Sequence, residues 1–273
     1  MPGGPAEPAS PAGGGHPSGG GHPSGGGHPA GDAAVSQEGP PAGGGWLTLL
    51  AVTLTIGTGT LDVAGFARLG GVFSSVMTGN LVVCGFAIGT AAFAQLLTGV
   101  TAIGGYAAGV LAGTRLTSRF RGGREAAAGG ARWRCPRGVI VALAAELAVL
   151  AVFATGWVVA GVRPAAGPLH ALLALAAGAM GLQSAAMRGL GGGHRVSTTY
   201  LTGTLTGVVA ALITVGRPQG ARLRDLSVLA AVPVGAAGGA LVLAYAPAAL
   251  PAIPLATVLT AVTVATLLHR SGS

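Results

Sequence analysis

Lysine is absent from this 273-residue chain; all 15 of its basic residues are arginine. Charge is scarce altogether, at 8% of residues, where a soluble domain carries about 25%. So few charges cannot cover a water-facing surface. Cysteine is limited to Cys84 and Cys135, with no CxxC or Cys/His spacing, which leaves neither a disulfide framework nor a thiolate metal site. Catalytic signatures are missing too. There is no HExxH, no GxSxG, no phosphate-cradling GxxxxGK[ST] and no GxGxxG after a strand. The sequence therefore points to no enzyme, no cofactor and no metal, and any transport must run on a gradient.

What the chain has is apolar length. It is 51% hydrophobic with a mean hydropathy of +0.68, and several runs reach the ~20 residues that cross ~30 Å of hydrocarbon. The short apolar-polar alternation of barrel strands is not present. The expectation is an all-α, polytopic helical membrane protein of about seven to eight transmembrane helices, with the lipid bilayer as its partner. The formal charge of +8 does not indicate nucleic acid, because no aromatics interleave with the arginines to stack on bases. The arginines gather between apolar runs, where they retain loops on the cytoplasmic side and meet anionic headgroups.

Residues 1–45 stand apart in composition. "GGGHPSGGGHPSGGGHPA" repeats every six residues and places His16, His22 and His28 in register. Such a segment buries too little apolar surface to offset chain entropy, so the expectation is a disordered tail. The transmembrane domain follows over 46–268, with spans expected at 46–66, 74–92, 94–116, 138–162, 166–187, 197–215, 226–246 and 249–268. Counting arginines over eight crossings puts the seven of the 115–137 loop in the cytoplasm with Arg68, Arg188 and Arg195, ten in all, and leaves Arg163, Arg217, Arg222, Arg224 and Arg270 outside, which places the N-terminus outside. Small residues mark helix contacts: Gly105, Gly109 and Gly113 form one ridge, Gly203 and Gly207 another, and Gly235 and Gly239 a third. These ridges serve packing within the chain or oligomerisation.

One stretch interrupts the apolar pattern and then recurs. "GTLDVAGFARLGGVFSSVMTGNLVV" lies against "GLQSAAMRGLGGGHRVSTTYLTGTLTGVV". Met77-Thr78-Gly79-Asn80 falls opposite Leu201-Thr202-Gly203-Thr204, and Asp62 opposite Gln183. Each copy has a polar residue late in one helix, a Gly-rich turn with an arginine, then a Thr-Gly break. The chain thus reads as a three-helix repeat over about 46–116, a linking helix at 138–162, and a second repeat over about 166–246. With eight crossings, the two copies run parallel.

"TGTLDVAGFARLGGVFSSVMTGNLVVCG" and "GLQSAAMRGLGGGHRVSTTYLTGTLTG" resemble the paired signatures of the YoaK-like family of bacterial inner-membrane proteins, over about 46–268. The resemblance implies a multi-pass protein of the bacterial cytoplasmic membrane and no particular activity. Two positions depart from the family pattern: Val63 stands where a small Ala is usual, and Ser184 where Asn commonly follows the Gln.

The polar residues are the candidate chemistry. Asp62 and Glu146 are candidate coupling carboxylates, since acids inside a membrane mark ion or proton paths. Asp62 reads equally as a structural cap or as a partner for Arg68 or Arg188, and Glu146 as a buried acid beside His170. Thr78, Gly79 and Asn80, with Gln183, Ser184, Thr198, Thr199, Thr202, Gly203 and Thr204, are the candidate solute- or ion-binding set. Broken helices facing each other build sites at the membrane midplane, and the same groups also serve interhelical hydrogen bonds. The sequence favours a secondary-transporter-like permease for a small solute, with a non-transporting scaffold or a partner- or lipid-binding protein as the alternative.

Overall fold

The computed structural model describes residues 44–120, 135–161, 164–190 and 219–271. The chain divides into Met1–Gly39 and Pro40–Ser273, and every described residue belongs to the second unit. The expected tail, up to residue 43, and the expected span at 197–215 lie outside the described residues. Those residues form helices and no strand: α1 (Gly44–Arg68), α2 (Met77–Gly89), α3 (Phe93–Arg119), α4 (Arg137–Ala160), α5 (Ala166–Leu190), α6 (Gln219–Tyr245) and α7 (Ala252–Ser271), with a single 3-10 turn at Pro247–Ala249.

Local chemistry sets several boundaries. Pro136, in extended conformation, precedes α4, and Gly161 with φ of 74° ends it. Pro247 opens the 3-10 turn, and Pro251 and Pro254 fall just before and within the first turn of α7, where a missing N–H costs nothing. The last span therefore forms despite its prolines. Six helices among the described residues, α1 and α3 to α7, are long and apolar enough to cross a membrane, and the chain is a multi-pass membrane protein.

The second expected span does not cross. α2 has 13 residues, about 20 Å at 1.5 Å per residue, which falls short of ~30 Å of hydrocarbon. Before α2, the chain folds back along the end of α1: Val72 lies against Gly65 and Ser75 bonds Asp62. α2 then climbs back out, with Asn80 level with Phe73 and Cys84 beside Gly99 of α3. The segment enters and leaves on one side.

That changes the direction of α3, α4 and α5 relative to α1. Gly105 lies over Ala174, Gly109 over Gly178 and Gly113 over Leu182, so α3 and α5 advance in parallel. Gly235 lies over Ile56 and Gly239 over Thr60, so α1 and α6 are also parallel. α4 runs against α5, with Gly156 beside Leu172 and Gly189 beside Val139. It runs against α7 as well, with Trp157 donating to the Pro247 carbonyl and Arg137 to His269. Gly57 meets Pro254 and Thr257, while Leu50 and Thr53 meet Thr260 and Val264, so α1 opposes α7. It follows that α1 and α5 point in opposite senses.

The duplication is therefore inverted, not parallel as eight crossings had implied. Its packing repeats in detail. Gly59 wedges against Val232 and Ala236 of α6, as Gly181 does against Tyr106 and Val110 of α3. Each copy's first helix packs on the other copy's last. This register equates Gly59 with Gly181 and Asp62 with Ser184, one residue from the alignment with Gln183 that sequence alone suggests. The glycine ridges of α3 and α6 are filled from within the chain, because a Cβ at Gly109 or Gly235 would collide with the Gly178 or Ile56 carbonyl. Thr60 adds a cross-helix bond, donating to Gly235 O at 3.0 Å.

The same directions regroup the arginines. The start of α1, the end of α3, the start of α4, the end of α5, the start of α6 and the end of α7 share one face. Arg115, Arg119, Arg137, Arg188, Arg222, Arg224 and Arg270 all belong to that face, while Arg68 closes α1 at the other. Arg222, Arg224 and Arg270 are thus on the same face as the 115–137 connection, not opposite it.

Candidate functional site

The interrupted stretch builds a turn. Gly70 and Gly71 take φ values of 95° and 76°, left-handed backbone that favours glycine. Gly65 lacks a Cβ where one would press on the Val72 carbonyl. The descending segment is then held by two side chains. Asp62 accepts from the Ser75 amide at 2.8 Å and from the Ser75 hydroxyl at 2.6 Å. Asn80 accepts from Phe73 N–H at 2.9 Å through Oδ1 and donates to Phe73 O at 2.6 Å through Nδ2. An amide presents both a donor and an acceptor to a single backbone residue without taking up a proton. Ser74 donates to Leu61 O at 3.2 Å.

Asp62 and Asn80 are both buried, and both clamp backbone that lacks helix or sheet partners. Among the described residues, no ion pair joins Asp62 to Arg68 or Arg188. Thr78 is exposed. Gly79 is not sterically required, since a Cβ there meets the Phe73 ring at 3.4 Å, an ordinary contact.

A second polar group lies at mid-helix depth. Gln183 of α5 meets Thr58 of α1 at 3.0 Å, and Thr58 Oγ1 also lies 3.1 Å from Leu54 O. One hydroxyl proton cannot serve both acceptors. Turning the Gln183 amide over lets Nε2 donate to Thr58 while Thr58 donates to Leu54, and this orientation satisfies all three groups. Next to Gln183, Ser184 accepts from the Tyr106 hydroxyl of α3 at 2.9 Å.

Glu146 completes this level. The contacts of Gly156 with Leu172 and Gly189 with Val139 fix the register of α4 on α5, and that register sets Glu146 opposite Leu182, adjacent in sequence to Gln183 and Ser184. Its side chain is fully buried, at 0% exposure, and neither carboxyl oxygen has a hydrogen-bond partner. Thr55 of α1, also at 0% exposure, has an unpartnered hydroxyl. His170, the partner expected for Glu146, instead bonds Ala166 O through Nδ1 at 2.7 Å. By the same register it lies opposite position 158 of α4, some three turns away, so the pair does not form.

The structure thus separates the expected site into a clamp (Asp62, Asn80) and a core level (Glu146, Gln183, Ser184). Thr198, Thr199, Thr202, Gly203 and Thr204, with Gly207, lie outside the described residues. Ser75, Thr58, Thr55 and Tyr106 were not anticipated from sequence. Among the described residues, no group of three His, Cys, Asp or Glu could hold a metal ion. A shallow groove of about 580 Å³ between α3, α4 and α5 is lined by Gly105, Ala108, Ala112, Ala174 and similar apolar residues. It carries no polar chemistry, so the buried level, not the groove, is the candidate site.

The match to known families falls on the same core. Residues 50–266 match the family described as a protein of unknown function (DUF1275). The chain belongs to the DUF1275 family. No curated protein and no solved structure matches it significantly. DUF1275 membership and the apolar helices together make the chain an integral membrane protein.

Proposed function

We propose that this DUF1275 protein is a secondary-transporter-like permease for a small solute, set in the bacterial cytoplasmic membrane in keeping with its YoaK-like resemblance. The observation that carries this reading is Glu146: a fully buried carboxyl with two unpartnered oxygens, level with Gln183 and Ser184, in the middle of the helix bundle. A buried polar group without partners costs about 1–3 kcal/mol or more, a cost that packing alone gives no reason to retain. The inverted arrangement of α1 and α3 against α5 and α6 supports the same reading, since inverted repeats place solute sites near the midplane at their interface. No enzymatic step belongs to it.

Positive-inside bias orients the protein. The face with Arg115, Arg119, Arg137, Arg188, Arg224 and Arg270 is cytoplasmic, which puts the start of α1 inside rather than outside.

The scaffold alternative draws on one observation of its own. Asp62 and Asn80 spend their hydrogen bonds on Ser75 and Phe73, holding the turn in place as packing residues do. A screen of proteoliposomes by solid-supported membrane electrophysiology, over a panel of amino acids, sugars, organic acids and inorganic ions, separates the readings. The permease reading expects a transient current for at least one solute that disappears in Glu146→Gln. Silence across the panel, from protein that remains folded in the vesicles, supports the scaffold.

A further inference from the structure

Resting on the permease reading, we propose that Glu146 is a proton-carrying carboxyl and that the proton, rather than a metal cation, is the ion its site takes. The argument begins with what surrounds the group. α4 packs on α3, α5 and α7. The titratable and charged residues those helices offer among the described residues are Tyr106, Arg115 and Arg119 on α3, His170 and Arg188 on α5, and His269 and Arg270 on α7. Tyr106 is bonded to Ser184. Arg188 lies opposite position 140 of α4 by register, about 9 Å along the helix from Glu146, and its Nε points to Ser184 O at 3.3 Å. His170 lies near the far end, and His269 is engaged with Cys135 O and Arg137. Arg115 and Arg119 are exposed on α3, and among the described residues no side chain pairs with the Glu146 carboxyl.

An ionised carboxylate without a counter-charge or a donor costs several kcal/mol in such surroundings. A metal cation would need a shell of about six oxygens at 2–2.6 Å. Around Glu146 the buried residues of α4 and α5 include the apolar Ala142, Leu143, Leu150, Ala179 and Ala186, beside Gln183 and Ser184, whose oxygens are engaged with Thr58 and Tyr106; that is too few oxygens for such a shell. A proton needs no shell. It neutralises the carboxyl in place and leaves it again when that level of the bundle meets water.

The chain makes this directly readable, because it contains only four glutamates: Glu7, Glu38, Glu125 and Glu146. Full-length protein labelled with carbon-13 at glutamate Cδ is reconstituted, and its carboxyl signals are followed by NMR between pH 5 and pH 9. The expected result is one carboxyl signal that keeps its protonated shift at pH 7 and is lost in Glu146→Gln. Four ionised glutamates at pH 7 overturn the proposal, and this count needs no variant to fold. A parallel melting series compares sodium chloride with choline chloride. Equal melting temperatures are expected; a sodium-specific rise in wild type that vanishes in Glu146→Gln overturns the choice of ion. Neither readout depends on a solute being found, so this proposal and the permease reading fail separately.

Discussion

Replacing Asn80 with alanine removes both bonds that hold Phe73, at 2.9 and 2.6 Å. Each backbone group left unsatisfied in a buried setting costs about 1–3 kcal/mol. Phe73 itself is half-buried, which lets water reach part of the gap, so the expected loss is about 2–4 kcal/mol. At roughly 2–4 °C per kcal/mol for a domain of this size, the melting temperature falls by roughly 5–15 °C. Asn80→Asp distinguishes shape from chemistry. One carboxyl oxygen still accepts from Phe73 N–H, but the other donates to the Phe73 carbonyl only when protonated, so Asn80→Asp is damaging at high pH and recovers as pH falls. Gly79→Ala is the control, because its added methyl meets only an ordinary contact with Phe73, and it should melt within about 1 °C of wild type. The assay is thermal unfolding of purified protein in detergent, followed by loss of the monodisperse elution peak. If Asn80→Ala melts like wild type, or Gly79→Ala falls further than Asn80→Ala, the clamp argument is wrong.

Three further outcomes follow from the fold. Gly109→Leu and Gly235→Leu, at equivalent crossings of the inverted copies, should both abolish folded protein, whereas Gly85→Ala, with nothing within 4 Å, should leave elution and melting unchanged; tolerance at either crossing would refute the packing register. A fluorescent reporter at the N-terminus and one at the C-terminus should both be active in the cytoplasm, because the start of α1 and the end of α7 share the arginine face; an active periplasmic phosphatase at either end would contradict the topology. Burial pushes the Cys135 thiol from 9.0 up to about 12. The folded state therefore holds a neutral thiol while the unfolded chain ionises, so stability falls as pH rises from about 9 to 12. Cys135→Ala should flatten that part of a melting-versus-pH curve; an unchanged slope would refute it.

Much of this architecture is legible in the sequence, and the failures have physical causes. Apolar run length fixed the crossing helices, because backbone in hydrocarbon must satisfy itself within a helix. Run length misread 74–92, since hydropathy cannot see that Ser75 is tied back to Asp62 and that Ala91 turns with φ of 53°. That one false crossing inverted α3, α4 and α5 relative to α1 and scattered the arginines between two faces. The duplication itself was readable from Thr-Gly and Gly-rich spacing, but its register needed the helix crossings: Gly59 and Gly181 fill the same niche, which no residue identity at Asp62 or Gln183 reveals. Glu146 stood out as a lone acid in an apolar run. Thr55 and Thr58 did not, although "TLTIGTGTLD" sets threonines at helical spacing on α1, because a threonine satisfied by its own i−4 carbonyl, as Thr101 is, looks the same in sequence as one that faces a core.

The central claim is that a buried polar level around Glu146, and not the clamp at Asn80, is where a solute acts. It is tested most directly by the thermal stability of purified wild type, Glu146→Gln and Asn80→Ala across a metabolite and ion library. Bound solute raises the melting temperature in proportion to its affinity for the folded state. The account predicts at least one compound that stabilises wild type, stabilises Asn80→Ala by a similar increment from its lower baseline, and leaves Glu146→Gln unmoved. A compound that stabilises Glu146→Gln as well as it does wild type, while losing its effect in Asn80→Ala, would contradict it.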